Sequence, residues 1–286
     1  TRAALPMMSV VDLLASAGPI CDPVVGLRNV KLGGWLDVTE RRELQLERRG
    51  DLARLLDGDD LVASATLVTG TYPARPAPWS PLEGPVLDSP YATGALFHGP
   101  AFQVLERLVR TAEGASSILR ARSDVPVGTL NPALLDGATH GIPHDFLHAW
   151  NDAVDPNAVA YPALIPELTL YGPAPTDGHV RCEVRPDGVF GTAQFPAFRV
   201  QLIADGVVWC ALRLVEACFP KGSLGQADPA ARRTFLRDRR FVPGVALSTA
   251  EGGVTSLDPA AVDGADWLPG TIEAVYGTRD PEEIAR

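Results

Sequence analysis

The sequence has little cysteine and a deficit of positive charge, and it contains no long apolar run. Its cysteines, Cys21, Cys182, Cys210 and Cys218, form no C-x-x-C pair, so no clustered thiol motif is indicated. The 35 acidic and 25 basic side chains give a net charge of −10, which argues against a nucleic acid partner. No apolar run approaches the roughly 18 residues that a bilayer-spanning helix needs. These absences favour a protein of the reducing cytoplasm that binds neither nucleic acid nor membrane.

The segment before Tyr72 predicts one helix followed by antiparallel strands. Residues 5–17 carry apolar side chains at helical spacing, and Gly18 with Pro19 ends that pattern. Strands are predicted at 24–38, 41–47, 52–56 and 61–68, of which the last two form a hairpin around Asp57-Gly58. One helix with antiparallel strands is the content of a hotdog fold.

The remainder of the chain repeats this order of elements after a proline-rich stretch. Residues 73–96 predict a linker stiffened by proline. A helix is predicted from Pro132, which Pro143 should end or kink, and strands are predicted at 101–109, 117–122, 163–171, 180–184, 195–203 and 208–215.

Two similar units indicate a pseudo-dimeric double hotdog of the α+β class, in which two central helices are each wrapped by a curled antiparallel sheet. The predicted domains are a first hotdog at 1–72, the linker at 73–96 and a second hotdog at 97–220. Residues 221–286 are expected to form a linker and the start of a following region.

The stretch LNPALLDGATHG, residues 130–141, is where the chemistry is expected. Asn131 is a good N-cap and Pro132 a good first helical residue, so a helix should begin there. Asp136 interrupts its apolar run, and His140 follows one turn later on the same face. A carboxyl group held against an apolar wall is a proton donor, because desolvation disfavours its charged form. The alternative is an ordinary helical aspartate with a surface histidine beneath it.

A metal site is a second interpretation of this stretch. Asp136, His140, His144 and His148 recur at every fourth position, which is a spacing that suits zinc on one helical face. Pro143 disrupts such a helix between the second and third of these side chains. We therefore predict no metal there, and we expect His144 and His148 to be solvated.

Three short motifs follow one another along the sequence. Their residues are Pro6 in the first motif, Tyr91, His98, Gly99, Pro100 and Phe102 in the second, and Leu130, Pro132, Asp136 and His140 in the third. Together these motifs resemble the dehydratase domain of polyketide synthases, of the iterative enediyne or polyunsaturated fatty acid type. The resemblance covers roughly residues 1–220, and three motifs in the right order are more specific than one.

The resemblance implies dehydration of a 3-hydroxyacyl thioester on an acyl carrier protein to the trans-2-enoyl thioester, without a cofactor. Asp136 would be the acid, helped by His140, and the other motif residues would bind substrate. Backbone N–H groups near Gly99 or Pro6 would hold the thioester carbonyl. The base would be a histidine four residues before Thr1, so we expect the chain to be a fragment that is inactive by itself.

Two other functions remain open from the sequence. One is a template domain of the same shape that orients a poly-β-ketone for cyclisation, and the other is a non-catalytic hotdog that scaffolds a synthase. The expected partners are an acyl carrier protein with a phosphopantetheine-linked acyl chain and the other domains of the same synthase. Carrier proteins are usually acidic, so docking would need a local basic patch or a covalent tether. The densest positive run is Arg232, Arg233, Arg237, Arg239 and Arg240.

Overall fold

The computed structural model of the chain describes residues 5–19, 21–33, 36, 38, 41–93, 95–96, 98–121, 128–144, 146–220, 246–248 and 254–256. Their dominant feature is one antiparallel sheet of 11 strands. Its strands are β1 Val24–Leu32, β2 Leu44–Arg49, β3 Leu52–Asp57, β4 Asp60–Thr69, β5 Val86–Leu87, β6 Leu105–Thr111, β7 Gly114–Arg120, β8 Ala158–Leu170, β9 His179–Phe190, β10 Thr192–Ala204 and β11 Val207–Pro220.

The spatial order of the strands is β2-β3-β4-β1-β8-β11-β10-β9-β7-β6-β5. Strands β1 to β4 come from the first half of the chain, and the others come from the second half. The halves join where β1 pairs with β8, in a register that places Gly26 opposite Thr169. The sequence predicted two separate sheets, but the strands of both halves form a single sheet. They join because the edge of β1 hydrogen-bonds to β8 of the second half.

Two helices cover this sheet and contact each other. Helix α1, Met7–Ala15, packs on β1, β3 and β4, whereas α3, Pro132–Gly137, packs on β7. Both are apolar on nearly every side, because each lies between the sheet and the other helix. Their buried side chains and those of the sheet form one continuous hydrophobic core. Among the described residues, no helix has the length and apolar character needed to cross a bilayer.

The predicted linker at 73–96 contains a short strand and a short helix that its proline-rich sequence did not indicate. It holds strand β5 and the short helix α2, Pro90–Thr93. The strand predicted from Ala101 begins only at Leu105, because Pro100–Phe102 form a turn of 3-10 helix. Two further short strands, β12 Ala246–Ser248 and β13 Val254–Ser256, pair with each other in the segment expected to be linker.

Candidate active site

Helix α3 holds Asp136 in a short and tightly packed turn. The Asn131 side chain accepts a hydrogen bond from the Leu134 N–H at 3.1 Å, and Pro132 follows it at the first helical position, as predicted. The helix ends at Gly137, well before Pro143. A Cβ atom on Gly137 would lie 2.3 Å from a Val104 methyl group, so glycine allows α3 to pack closely against the entrance to β6.

His140 lies below Asp136 even though the regular helix has ended. The chain continues in tight turns, in which the Thr139 N–H donates to the Asp136 carbonyl and the His140 N–H donates to the Gly137 carbonyl. These turns keep the side chains on one face, and His140 Nε2 lies 3.2 Å from Asp136 Oδ2. The predicted contact between these two residues is confirmed, and the surface histidine of the alternative is excluded because His140 is fully buried.

His98 reaches the same carboxylate from the loop formed by His98, Gly99 and Pro100, called the HGP loop below. The Gln103 side chain donates to the His98 carbonyl at 2.8 Å, and the Phe102 N–H donates to the Gly99 carbonyl at 3.0 Å, so the loop is held from within. His98 Nε2 then lies 3.3 Å from Asp136 Oδ2. The rings of His98 and His140 stand with their centroids 4.1 Å apart. Two imidazoles therefore converge on one carboxylate oxygen.

Tyr91 contacts the side of His140 that faces away from Asp136. Its hydroxyl oxygen accepts from the Leu105 N–H at 3.2 Å and lies 2.7 Å from His140 Nδ1. Burial raises the pKa of Tyr91 to about 12, so the phenol keeps its proton near pH 7. In the tautomer in which the phenol donates to Nδ1, Nε2 of His140 carries the ring proton and donates it to Asp136.

The pKa of His98 is lowered to about 4, chiefly by burial and then by the nearby His140, while Asp136 acts in the opposite direction. His98 is consequently a neutral imidazole near pH 7. Within the described part of the chain, its buried Nδ1 atom has no hydrogen-bond partner. The ring can therefore donate to an ionised Asp136 or accept a proton from a neutral one.

The remaining predicted substrate-binding residues lie in the loop after His98 and at the starts of α1 and α3. Gly99 is exposed, and Pro100 and Phe102 belong to the turn of 3-10 helix that contacts α3. Leu130 and Pro132 are buried at the start of α3. Pro6 caps the other helix, α1.

Asp12 connects α1 to the segment before α3, and the sequence did not predict this contact. This buried α1 carboxylate accepts N–H groups from Gly128 at 2.8 Å and Leu130 at 2.6 Å. It therefore ties α1 to the segment that leads into α3. In the sequence, this contact is indicated only by the presence of the charged Asp12 within an otherwise apolar helix.

The four-residue helical stripe considered for a metal does not form. His144 Nδ1 lies 3.0 Å from Glu216 Oε1, and its Nε2 lies 3.1 Å from the Thr139 carbonyl. His148 packs edge-on against Phe146. The expectation that His144 is solvated is wrong, because the helix ends early and turns this side chain towards a buried glutamate on β11.

Comparison with solved structures finds dehydratase domains of polyketide synthases. One is the dehydratase domain of RzxB from Pseudomonas fluorescens, at 20% identity and a TM-score of 0.55 over 75% of this chain and 86% of that one. The dehydratase domain from the CurH module of curacin polyketide synthase has 16% identity and a TM-score of 0.58 over 77% and 84%. The dehydratase domain of PpsC from Mycobacterium tuberculosis, solved with C12:1-CoA, has 22% identity and a TM-score of 0.55 over 76% and 86%.

The chain has the fold of a polyketide synthase dehydratase domain. In this fold the second and third motifs noted in the sequence meet around Asp136, and Pro6 of the first motif caps α1. No protein-family model matches the chain, and a search of curated proteins finds no match.

Proposed function

We propose that the protein dehydrates a 3-hydroxyacyl thioester, carried by an acyl carrier protein, to the trans-2-enoyl thioester. The observation that carries the proposal is Asp136, whose carboxyl group lies between His98 and His140 in a dehydratase fold. We also propose that α1 and α3 are the central helices of a double hotdog, since each packs on the strands of its own half.

In the proposed reaction, a base removes a proton from C2 of the acyl chain while the bond between C3 and its hydroxyl oxygen breaks. Asp136 donates its proton to the departing hydroxyl group, which leaves as water, and the C2–C3 double bond forms. His140 orients the carboxyl group through its Nε2–H. The exposed Gly99 backbone supplies an N–H for the thioester carbonyl. The base is a histidine upstream of Thr1, as the motif resemblance implies.

A dehydration assay on Asp136→Asn tests the assigned acid. On a chain extended upstream to include the proposed motif histidine, the variant should lose turnover by at least about 100-fold, because it removes one general acid. Asp152→Asn is the matched control, since this aspartate is exposed outside the cluster. The product is followed as the loss of one water mass from the thioester. Dehydration near the wild-type rate by Asp136→Asn would remove Asp136 from this role.

The same assay separates the alternatives. The 286-residue chain without the upstream histidine should not dehydrate the thioester. Dehydration by it would make His98 or His140 the base. A wild-type extended chain that binds the thioester without dehydrating it would favour a template domain, and one that does not bind it would favour a scaffold.

The proposed partners are the acyl carrier protein and the other domains of the synthase. The arginine run expected to serve as a docking patch, Arg232 to Arg240, lies outside the described residues.

A further inference from the structure

The geometry points to a zinc-class metal site formed by His98, Asp136 and His140, in addition to the proposed proton transfer. One ligand atom from each of these side chains lies within 4.8 Å of the other two. This set differs from the helical stripe considered above, because its third ligand comes from the HGP loop.

The donor types select the class of metal. Two imidazoles and one carboxylate form the ligand set that zinc and similar transition ions prefer, whereas magnesium and calcium prefer oxygen ligands. Three protein ligands also leave a fourth position for water, as in catalytic zinc sites. His98 gives access from outside, since 28% of its side chain is exposed.

The spacing fits a metal better than it fits direct ion pairing. A tetrahedral zinc ion with bonds of about 2.0–2.1 Å holds its ligand atoms about 3.3 Å apart. The distances from Asp136 Oδ2 to His98 Nε2 and to His140 Nε2 are 3.3 and 3.2 Å. Both are longer than the charge-assisted hydrogen bonds of about 2.7–2.9 Å that such groups form in direct contact.

The surroundings support a bound cation. Among the described residues, Asp136 has no lysine or arginine partner, so the two histidines are its ion-pairing neighbours. The Tyr91 hydroxyl oxygen lies 2.7 Å from the second nitrogen of His140. With a metal on Nε2 the ring proton sits on Nδ1 and is donated to the Tyr91 oxygen, which is the usual outer-shell partnership of a metal-bound histidine. Helix α3 and the hydrogen-bonded turns that follow it hold Asp136 and His140 in place before the metal arrives, so little ordering entropy is lost on binding.

A metal ion on Asp136 Oδ2 excludes a proton from that oxygen. Zinc binding and proton donation by Asp136 are therefore mutually exclusive, and zinc reversibly inhibits dehydration. This consequence rests on the proposed function, whereas metal binding itself does not.

Calorimetric titration of the chelator-treated full chain with ZnCl2 tests the site. We expect one saturable zinc per chain, with an affinity that His98→Gln lowers at least about 100-fold and Tyr91→Phe lowers about tenfold, because loss of an outer-shell partner costs 10–100-fold and loss of a ligand costs more. Co²⁺ in place of Zn²⁺ should give visible absorption bands of a four- or five-coordinate ion, and His98→Gln should abolish them. Circular dichroism checks that each variant is folded.

Two matched controls exclude surface binding. His148→Gln removes a histidine outside the cluster, and Cys21→Ser removes an exposed thiol; neither should change the affinity. Absence of saturable zinc binding, or binding that survives His98→Gln and disappears in a control variant, would overturn the proposal. Because the titration contains no substrate, a failure of dehydration leaves its result unchanged.

Discussion

His98 is held neutral by its surroundings, and this has a measurable consequence for stability. It faces Asp136, His140 and His144, and burial lowers its pKa from 6.5 to about 4. The unfolded chain therefore takes up this proton first as the pH falls, so the folded state loses stability from about pH 6.5 down to about pH 4. With a chelator present, the free energy of unfolding of the wild-type chain should fall more steeply over this window than that of His98→Gln. Parallel curves for the two proteins would contradict the assignment.

Substitution of Gly99 can test, without disturbing the fold, whether the thioester carbonyl approaches the Gly99 N–H. Its backbone, with φ −65° and ψ 163°, suits any residue before a proline, and an added Cβ would meet nothing within 4 Å. Gly99→Ala should thus leave stability unchanged or raise it by about 0.5 kcal/mol. If the thioester carbonyl approaches this N–H, the new methyl group should lower kcat/KM at least about tenfold. An unchanged kcat/KM would place the carbonyl elsewhere.

The sequence could predict the part of the site that depends on local spacing. Asp136 and His140 are four residues apart, so helical spacing predicts their contact, which the turns after Gly137 preserve although the helix ends there. The approach of His98 depends on how the HGP loop packs on α3, and no local pattern encodes that packing. The contact of the Tyr91 hydroxyl group with His140 was likewise not predictable, because it depends on how a separate short helix packs against the site.

At the scale of elements, the stability of α3 depends on one capping side chain. Asn131 accepts from the Leu134 N–H and donates to the Pro175 carbonyl at 3.1 Å, and it is buried. Asn131→Ala should cost about 1–2 kcal/mol in urea unfolding, since it removes an N-cap. Asn157→Ala on the exposed surface is the matched control and should change stability by less than about 0.5 kcal/mol. Equal midpoints for both variants would mean that the cap contributes little.

Elements with a strong internal pattern were predicted well. Helix α1, the β3–β4 hairpin and the long strands β10 and β11 all occur where periodicity or a turn signal placed them. Strand β5 was missed because two residues carry no periodicity. The length of α3 was overestimated because its end is set by close packing at Gly137, which depends on the distant Val104.

At the scale of the whole molecule, a buried polar cluster fastens the proline-rich segment to the sheet. Glu183 is fully buried and pairs with Arg181 at 2.6 Å and Arg185 at 2.9 Å. These arginines donate to the backbone carbonyls of Trp79 and Ser80. The segment at 73–85 is therefore anchored from the interior as well as stiffened by its prolines.

Removal of the Glu183 carboxylate should loosen this segment and destabilise the fold. Glu183→Ala should cost about 3 kcal/mol, because it leaves two partly buried guanidinium groups without their shared partner. Hydrogen exchange should accelerate at the Trp79 and Leu82 amides, which bond to side chains of the sheet. Glu106→Ala is the control, since its ion pairs are exposed. Unchanged exchange at both amides would show that the prolines alone hold the segment.

The junction between β1 and β8 has a consequence for synthesis on the ribosome. Strand β1 pairs along one edge with β4, which follows it closely, and along the other with β8, which ends at Leu170. The first half therefore cannot complete its hydrogen bonding until β8 has been translated. Until then β1 presents an open edge to other nascent chains, and such an edge is a template for aggregation. Chaperone demand during translation should thus persist until β8 leaves the exit tunnel.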